Sequence, residues 1–354
     1  MNISIRTSRR LSDARNILVR GTNWIGDVVM TLPAMAAIHQ AYPQARITVL
    51  AKPWVADLFA LCADVDDVII YHSPGIHAGL KGLFRLTAEL RERKFDAAIL
   101  LQNAIEAAII ALMARIPIRA GYNADGRGPL LTHSVKRTRA VRRIPQVEYY
   151  LEMVRTLGGE GDPRTYHFRL NLEDKERAEA ILNKYHLSTT DFLVGMAPGA
   201  TYGVAKKWFP ERFAVVADRL SAEYAARILL FGSTGDREST AAVSRQAGHT
   251  PIDLAGATTL REAVALIACC RLFISNDSGL MHVAGALGVP TVAIFGSTNP
   301  ATTSPMGKDN IVVHKDLPCS PCLKTTCPQD FACMDQISID DVYGAVRCLK
   351  EKVY

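Results

Sequence analysis

The 354-residue sequence predicts an α/β protein of two domains, each a parallel sheet covered by helices. Three observations lead there. Short β-branched runs alternate with longer helix-patterned segments, the signature of parallel strands joined by helical crossovers. The alternation lapses near Leu170 and then starts again. The chain also exceeds the roughly 250 to 300 residues at which a single hydrophobic core stops growing.

Taken in order, the strands of the first half are NILVR (16–20), RITVL (46–50), DVIIY (67–71) and DAAILL (96–101). Between and after them PWVADLFALCA, GLFRLTAELRER and AIEAAIIALMA carry helical spacing of apolar residues. The Gly-rich and charged stretch GGEGDPRTYHF (158–168) and the acidic helix-like NLEDKERAEAILNKYH (171–186) mark the boundary. The second half reads FLVGM (192–196), RILLF (227–231), PIDLA (251–255), RLFIS (271–275) and TVAIF (291–295) as strands. Its helices are PERFAVVADRLSAEY, STAAVSRQAGH, TLREAVALIACC and SGLMHVAGALG. The expected division is 1–170, 171–336 and a closing helix, 337–354, free to pack back on the first domain. Two Rossmann-like halves facing a central cleft are the natural architecture, with ligands at the carboxyl ends of the strands.

Composition narrows the function classes. With 49% hydrophobic and 21% charged residues the chain reads as globular, and no run has the length of a membrane span. The start, MNISIRTSRRLSDAR, lacks the apolar core of a secretory signal, so a cytoplasmic protein is expected. Four arginines (6, 9, 10 and 15) crowd what reads as a frayed tail. Lys136, Arg137, Arg139, Arg142 and Arg143 fall in eight residues, and such a cluster calls for an anionic substrate or membrane surface. No nucleic-acid recognition motif accompanies it, and no nucleic-acid partner is expected.

Cys319, Cys322, Cys327 and Cys333 lie within fifteen residues, CSPCLKTTCPQDFAC. The spacing matches no common zinc finger, so a structural zinc, free thiols or a conditional disulfide, and an iron–sulfur cluster all stay open. The other four cysteines, Cys269 and Cys270 included, read as small core residues.

The chemistry gathers at strand ends. NILVR runs into GTNWIGDVVM, where Gly21 and Gly26 have phosphate-loop spacing but Asp27 stands where a triphosphate loop needs lysine. A carboxylate there repels phosphate, and a helix cap is the plain alternative. After FLVGM, Gly199, Ala200 and Thr201 bring backbone N–H groups toward an anion and Lys206 adds a point charge. Gly232 and Ser233 follow RILLF, with Asp236 or Glu238 able to accept from ribose hydroxyls. After RLFIS, Asp277, Ser278, Gly279 and Leu280 open a helix whose free N–H groups suit an anion. FGSTNP follows TVAIF on the same rim.

These stretches together, MAPGATYGVAKKWF, LLFGS, LAGATTL, ISNDSGLMHVAGALGVPTVAIFGSTNP and NILVRGTNWIGDVVMTLP, resemble the ADP-heptose:lipopolysaccharide heptosyltransferases, glycosyltransferase family 9, from about Asn16 to the C-terminus. The resemblance implies a GT-B fold and inverting transfer of heptose from the substrate ADP-heptose, with no cofactor required. It implies an anionic acceptor, the heptose/Kdo inner core on lipid A, and peripheral contact with the cytoplasmic face of the inner membrane. Asp27 takes the place of the family's candidate catalytic base, and Gly26 lets a sugar approach. Lys206 matches the lysine on the donor diphosphate, Asp277 to Leu280 the phosphate loop, and His282 follows on the same helix. Arg127 matches an acceptor-side arginine, with Asn103, Arg139 and Arg142 joining it on the acceptor side. A different nucleotide-sugar enzyme such as an epimerase, or a non-catalytic nucleotide- or lipid-binding module, stands as the alternative. Asp64-Val65-Asp66 has the D-x-D pattern of a metal motif but precedes its strand rather than following it, and is discounted.

Overall fold

Strands as apolar as NILVR must be covered on both faces, and both sheets of this protein are built from them. The computed structural model describes residues 3–353. Two units divide between Arg169 and Leu170. The first contains β1 (Ile3–Ile5), β2 (Asn16–Arg20), α1 (Ile25–Ala41), β3 (Arg46–Ala51), α2 (Pro53–Ala60), β4 (Asp67–Ile70), α3 (Gly79–Glu92), β5 (Ala97–Leu100), α4 (Ile105–Met113), β6 (Ile118–Tyr122), β7 (His133–Val135) and α5 (Gln146–Thr156). The second contains α6 (Leu172–Lys184), β8 (Leu193–Ala197), α7 (Pro210–Tyr224), β9 (Arg227–Leu230), α8 (Arg237–Gln246), β10 (Ile252–Asp253), α9 (Leu260–Ala268), β11 (Leu272–Asn276), α10 (Gly279–Ala286), β12 (Thr291–Ile294), α11 (Pro300–Thr303), β13 (Asn310–Val313), α12 (Ala332–Asp335) and α13 (Ile339–Val353).

Topology decides where each unit can bind. The first sheet runs β1-β7-β6-β5-β2-β3-β4 and the second β10-β9-β8-β11-β12-β13. Every pairing is parallel except β1 with β7. In the first unit the chain leaves β2 toward β3 and β4, then returns to β2's other side with β5, in register Leu18 to Ala98 and Val19 to Ile99. In the second it leaves β8 toward β9 and β10 and returns with β11, in register Val194 to Leu272 and Met196 to Ile274. Each reversal opens a crevice at the strands' carboxyl ends, between β2 and β5 and between β8 and β11.

Helices complete both cores. On one face of the first sheet, Leu86 and Leu90 of α3 and Ala107, Ile110 and Ala111 of α4 bury against Leu18, Leu50, Ala98 and Leu100. In the second unit Trp208, Phe213 and Leu220 share a core with Val194, Ile228, Ile274 and Val292. α6 begins with Asn171 and Asp174 in a reciprocal capping box, and Asp174 also pairs with Arg261 at 2.5 Å. That ties the first helix of the second unit to the start of α9.

Three expectations change. The N-terminal segment is no frayed tail from Ile3 onward, because β1 pairs with β7, Ile3 opposite Val135 and Ile5 opposite His133; Met1 and Asn2 lie outside the described residues. The closing helix, expected as free to pack on either domain, packs on α7 and β13 of the second unit, since Val342, Val346 and Leu349 belong to that core. Of the four cysteines expected in cores, Cys62 and Cys270 are buried, but Cys269 is only part-buried and Cys348 is exposed.

Candidate functional site

In the second unit three strand-end loops converge on one carboxylate. Asp277, directly after β11, accepts from Lys206 Nζ at 2.6 Å and from Thr298 Oγ1 at 2.6 Å. Its neighbour Asn276 accepts from the Trp208 backbone N–H at 3.0 Å and donates to the Pro198 carbonyl at 2.7 Å. The loops after β8, β11 and β12 are thereby knotted at the crevice. An ammonium carries three donors, and the contacts with Asp277 leave at least one for an entering oxyanion. α10 starts two residues later. Its N-cap Ser278 makes no capping bond and instead exchanges a hydrogen bond with Ser275 Oγ at 3.0 Å. The first N–H groups of α10, those of Gly279 and Leu280 included, are therefore not taken by a cap, and the helix dipole favours negative charge there.

His282 lies beneath this loop, 3% exposed, with Nδ1 unpartnered. Burial lowers its pKa to about 4, which keeps it neutral at pH 7 beside Asp277 and Lys206. Its place is behind the loop rather than on the open rim.

The β9 loop departs from its expected role. Asp236 accepts from the Ser233 backbone at 2.9 Å and from Ser233 Oγ at 2.7 Å, so its Oδ2 closes a capping box. A Cβ at Gly199 would stand 2.1 Å from Asp236 Oδ1, and one at Gly232 would stand 2.7 Å from Asp236 Cβ. Those glycines make room for the Asp236 side chain. Glu238 and Thr201 are exposed on the same side of the strands' ends.

In the first unit Asp27 is half-buried in the first turn of α1, three residues after the N-cap Trp24. The capping alternative therefore fails in its simple form, since Asp27 is not the cap residue. The Asp27 charge acts on the buried phenol of Tyr150 and helps raise its pKa, behind the larger effect of burial. Gly26 also falls inside the helix. Gly21 serves close packing, because a Cβ there would meet the Phe59 ring at 2.6 Å.

Arg127 requires correction as an acceptor contact. It is 0% exposed, and its guanidinium donates to the carbonyls of Tyr122 at 2.7 Å, Leu100 at 3.2 Å and Gln102. Burial pushes its pKa down to about 10. Its work is to bind the ends of β5 and β6 together. Asn103, next to that clamp, accepts from Tyr149 Oη at 3.0 Å. Arg139 and Arg142 stay exposed after β7, on the other flank of the rim from β4.

The sequence reading missed a second buried arginine. Arg20 ends β2 and donates to the carbonyls of Gly21 at 2.5 Å and Leu50 at 3.2 Å and to Asn23 Oδ1 at 3.0 Å, with Nε unpartnered. Glu106 accepts from Tyr71 Oη at 2.5 Å, and Lys52 Nζ sits 3.7 Å from the Tyr71 ring centre. This polar group shapes the loop that leads into α1 ahead of Asp27, since Trp54 Nε1 also donates to the Asn23 carbonyl at 2.7 Å. The available signal was an arginine closing an otherwise apolar strand. Thr298 and Asn276 were legible only as parts of FGSTNP and ISND.

The cysteine loop is a buttress of the Lys206 loop. Leu323 accepts from Tyr202 Oη at 3.1 Å, and Thr325 accepts from the Ala205 N–H at 3.1 Å. Cys319, Cys322, Cys327 and Cys333 line one cavity of about 60 Å³ with Ser297 and Lys324. Cys327 Sγ accepts from the backbone of Gln329 at 3.4 Å and Phe331 at 3.2 Å. Among the described residues no group of three or more His, Cys, Asp or Glu is arranged as it stands to hold a metal ion. Asp64 and Asp66 are structural, Asp64 facing His167 at 3.2 Å and Asp66 accepting from the Ile47 N–H at 2.7 Å.

Residues 83–332 match glycosyltransferase family 9 (heptosyltransferase). The chain is 33% identical to lipopolysaccharide heptosyltransferase 2 of Salmonella typhimurium over 309 residues, covering 84% of this chain and 87% of that protein. With the Escherichia coli protein of the same name the identity is 34% over the same shares. Among solved structures, E. coli ADP-heptose LPS heptosyltransferase II aligns with a TM-score of 0.81 at 28% identity, over 96% of this chain and 100% of that one. A family 9 glycosyl transferase from Veillonella parvula aligns at 0.88 with 25% identity, over 98% and 100%.

Proposed function

The chain belongs to glycosyltransferase family 9, the heptosyltransferases, and on that premise we propose how its two rims divide the reaction. It has the GT-B fold of two Rossmann-like domains and is a lipopolysaccharide heptosyltransferase. The second unit takes the donor, ADP-heptose. The observation that carries this is the Lys206–Asp277 pair set at the uncapped start of α10. A leaving diphosphate gains negative charge as the glycosidic bond breaks, and a positioned ammonium with oriented N–H groups stabilises that charge without rearranging. This arrangement supports catalysis without a metal ion.

The first unit takes the acceptor. Asp27 is the general base, removing the proton from the attacking hydroxyl as it displaces ADP with inversion at the anomeric carbon. The exposed Arg139 and Arg142 suit the anionic inner-core sugars, heptose and Kdo, and Arg127 acts behind them by holding the β5 and β6 ends. The relatives' name supports addition of the second heptose. A lipid A-borne acceptor places the enzyme at the cytoplasmic face of the inner membrane. Family membership leaves the epimerase and non-catalytic readings without support.

The deciding experiment supplies purified protein with ADP-heptose and a panel of truncated cores, with and without a chelator, and reads products by mass. A heptose increment on a heptose-terminated core, undiminished by the chelator, is expected. Epimerised nucleotide sugar without transfer, or activity only on adding Mg²⁺, would overturn the reading.

A further inference from the structure

Large apolar side chains stand exposed at the ends of three neighbouring strands of the first sheet. Trp24 follows β2 and is 60% exposed, and Trp54 follows β3 at 49%. After β4 the exposure becomes a stripe: Ile76 at 57%, Leu80 at 76% and Phe84 at 63%. Single exposed hydrophobic residues are ordinary, but a contiguous apolar patch marks a contact surface.

The stripe is built, not frayed. Leu80, Phe84 and the exposed Ala88 recur every four residues and so share one face of α3. The opposite face already buries Leu86 and Leu90 in the core, so the fold has no use for the outer one. Ile76 is held beside the helix by its turn. The His77 N–H donates to the His72 carbonyl at 2.9 Å, the His72 N–H donates to His77 Nδ1 at 3.1 Å, and Lys52 Nζ donates to the Ser73 carbonyl at 2.7 Å. Gly82 lets this turn lie against the helix, since a Cβ there would stand 2.1 Å from the His77 carbonyl carbon. Lys81 and Arg85 are exposed one position further round α3 from Leu80 and Phe84.

The geometry points to this face, Ile76, Leu80 and Phe84 with Lys81 and Arg85, as the surface that docks the enzyme on an anionic lipid bilayer. Apolar side chains flanked by cations are what a helix lying in the headgroup region requires: the apolar groups enter the acyl boundary and the cations meet lipid phosphates. Lys81 and Arg85, exposed beside the apolar stripe, favour an anionic bilayer as its occupant. The inference rests on the reading that the acceptor is lipid-borne, and it adds an orientation. β4 lies two strands from β2, roughly 10 Å at the usual strand spacing, so a lipid-anchored oligosaccharide would run from the bilayer at α3 past Trp54 to Asp27.

The test uses the full chain and vesicles of phosphatidylcholine with or without phosphatidylglycerol, carrying no acceptor, and reads partition by flotation. Binding to the anionic vesicles, weakened by added salt, is expected. Leu80→Glu with Phe84→Glu should lower partition about 10-fold or more. Lys81→Gln with Arg85→Gln should lower it about 30-fold, two cations' worth. All four positions are exposed, so unchanged melting temperatures are the control for folding. In a second arm, turnover on a water-soluble, delipidated acceptor should be the same in both variants, and turnover on vesicle-borne acceptor should fall. Equal partition of wild type and the Leu80→Glu, Phe84→Glu variant overturns the proposal. So does a loss of oligomer in that variant by light scattering, which would give the face to a second copy. Absent transfer on both acceptors, with partition still lost in the variants, would sink the catalytic reading while leaving the docking surface standing.

Discussion

Asp27 and His282 show how differently one side chain can matter in the two units. Asp27 sits in the first turn of α1 without being its cap, so Asp27→Asn removes basicity while leaving the helix start in place. Turnover should fall by about 10² to 10⁴, the range typical of a general base, with donor binding and melting temperature unchanged. Near-normal turnover would make Asp27 a structural residue. His282 is a stability group. Its folded pKa of about 4 lies below the ordinary 6.5, so between those values the unfolded chain binds the extra proton. The stability it contributes is complete above pH 6.5 and is lost as pH falls toward 4. Unfolding free energies from urea titrations across that window should drop more for the wild type than for His282→Gln, by up to about 3 kcal/mol. Parallel curves would show that His282 is not buried neutral.

At the scale of elements, the loop that carries Lys206 is braced from outside by the cysteine loop. Gly203 is where the two touch, because a Cβ there would stand 2.3 Å from the Thr325 carbonyl oxygen. Gly203→Ala must move one loop or the other. We expect transfer to fall roughly 10- to 100-fold, as a displaced catalytic group does, with little change in overall stability. Lys206→Ala sets the floor for that measurement. Unchanged kinetics in Gly203→Ala would mean that the two loops act independently. The strands themselves were legible as buried β-branched runs, and α7 falls on PERFAVVADRLSAEY because Pro210 opens the helix and Ala225 ends it in a left-handed turn. β1, β6, β7 and β13 were not: β1 and β7 have three residues each, β6 is broken by Arg119 and Gly121, and β13 buries only Val313, so their sheet partners select the extended form.

For the whole molecule, two cores imply two cooperative units. ADP, which carries the donor's diphosphate, should bind only the second. At 100 times its dissociation constant a ligand stabilises its unit by about 2.7 kcal/mol, worth roughly 5 to 10 °C for a unit of this size. Calorimetry should therefore show one transition moving and the other fixed. Equal movement of both would mean that ADP contacts reach the first unit as well.

The sequence by itself determined the α/β class, the restart near Leu170, and the placing of Asp27, Lys206 and Asp277 in the segments that follow strands. It could do so because burial periodicity and glycine-bearing turns are local signals. Only the tertiary structure decided which of them meet. Thr298 reaches Asp277 from another strand's loop, Arg127 turns inward to three carbonyls instead of outward to an anion, and α13 joins the second core. A buried arginine and an exposed one look alike in sequence. What separates them is whether main-chain carbonyls brought in by neighbouring strands replace the water that the guanidinium gives up.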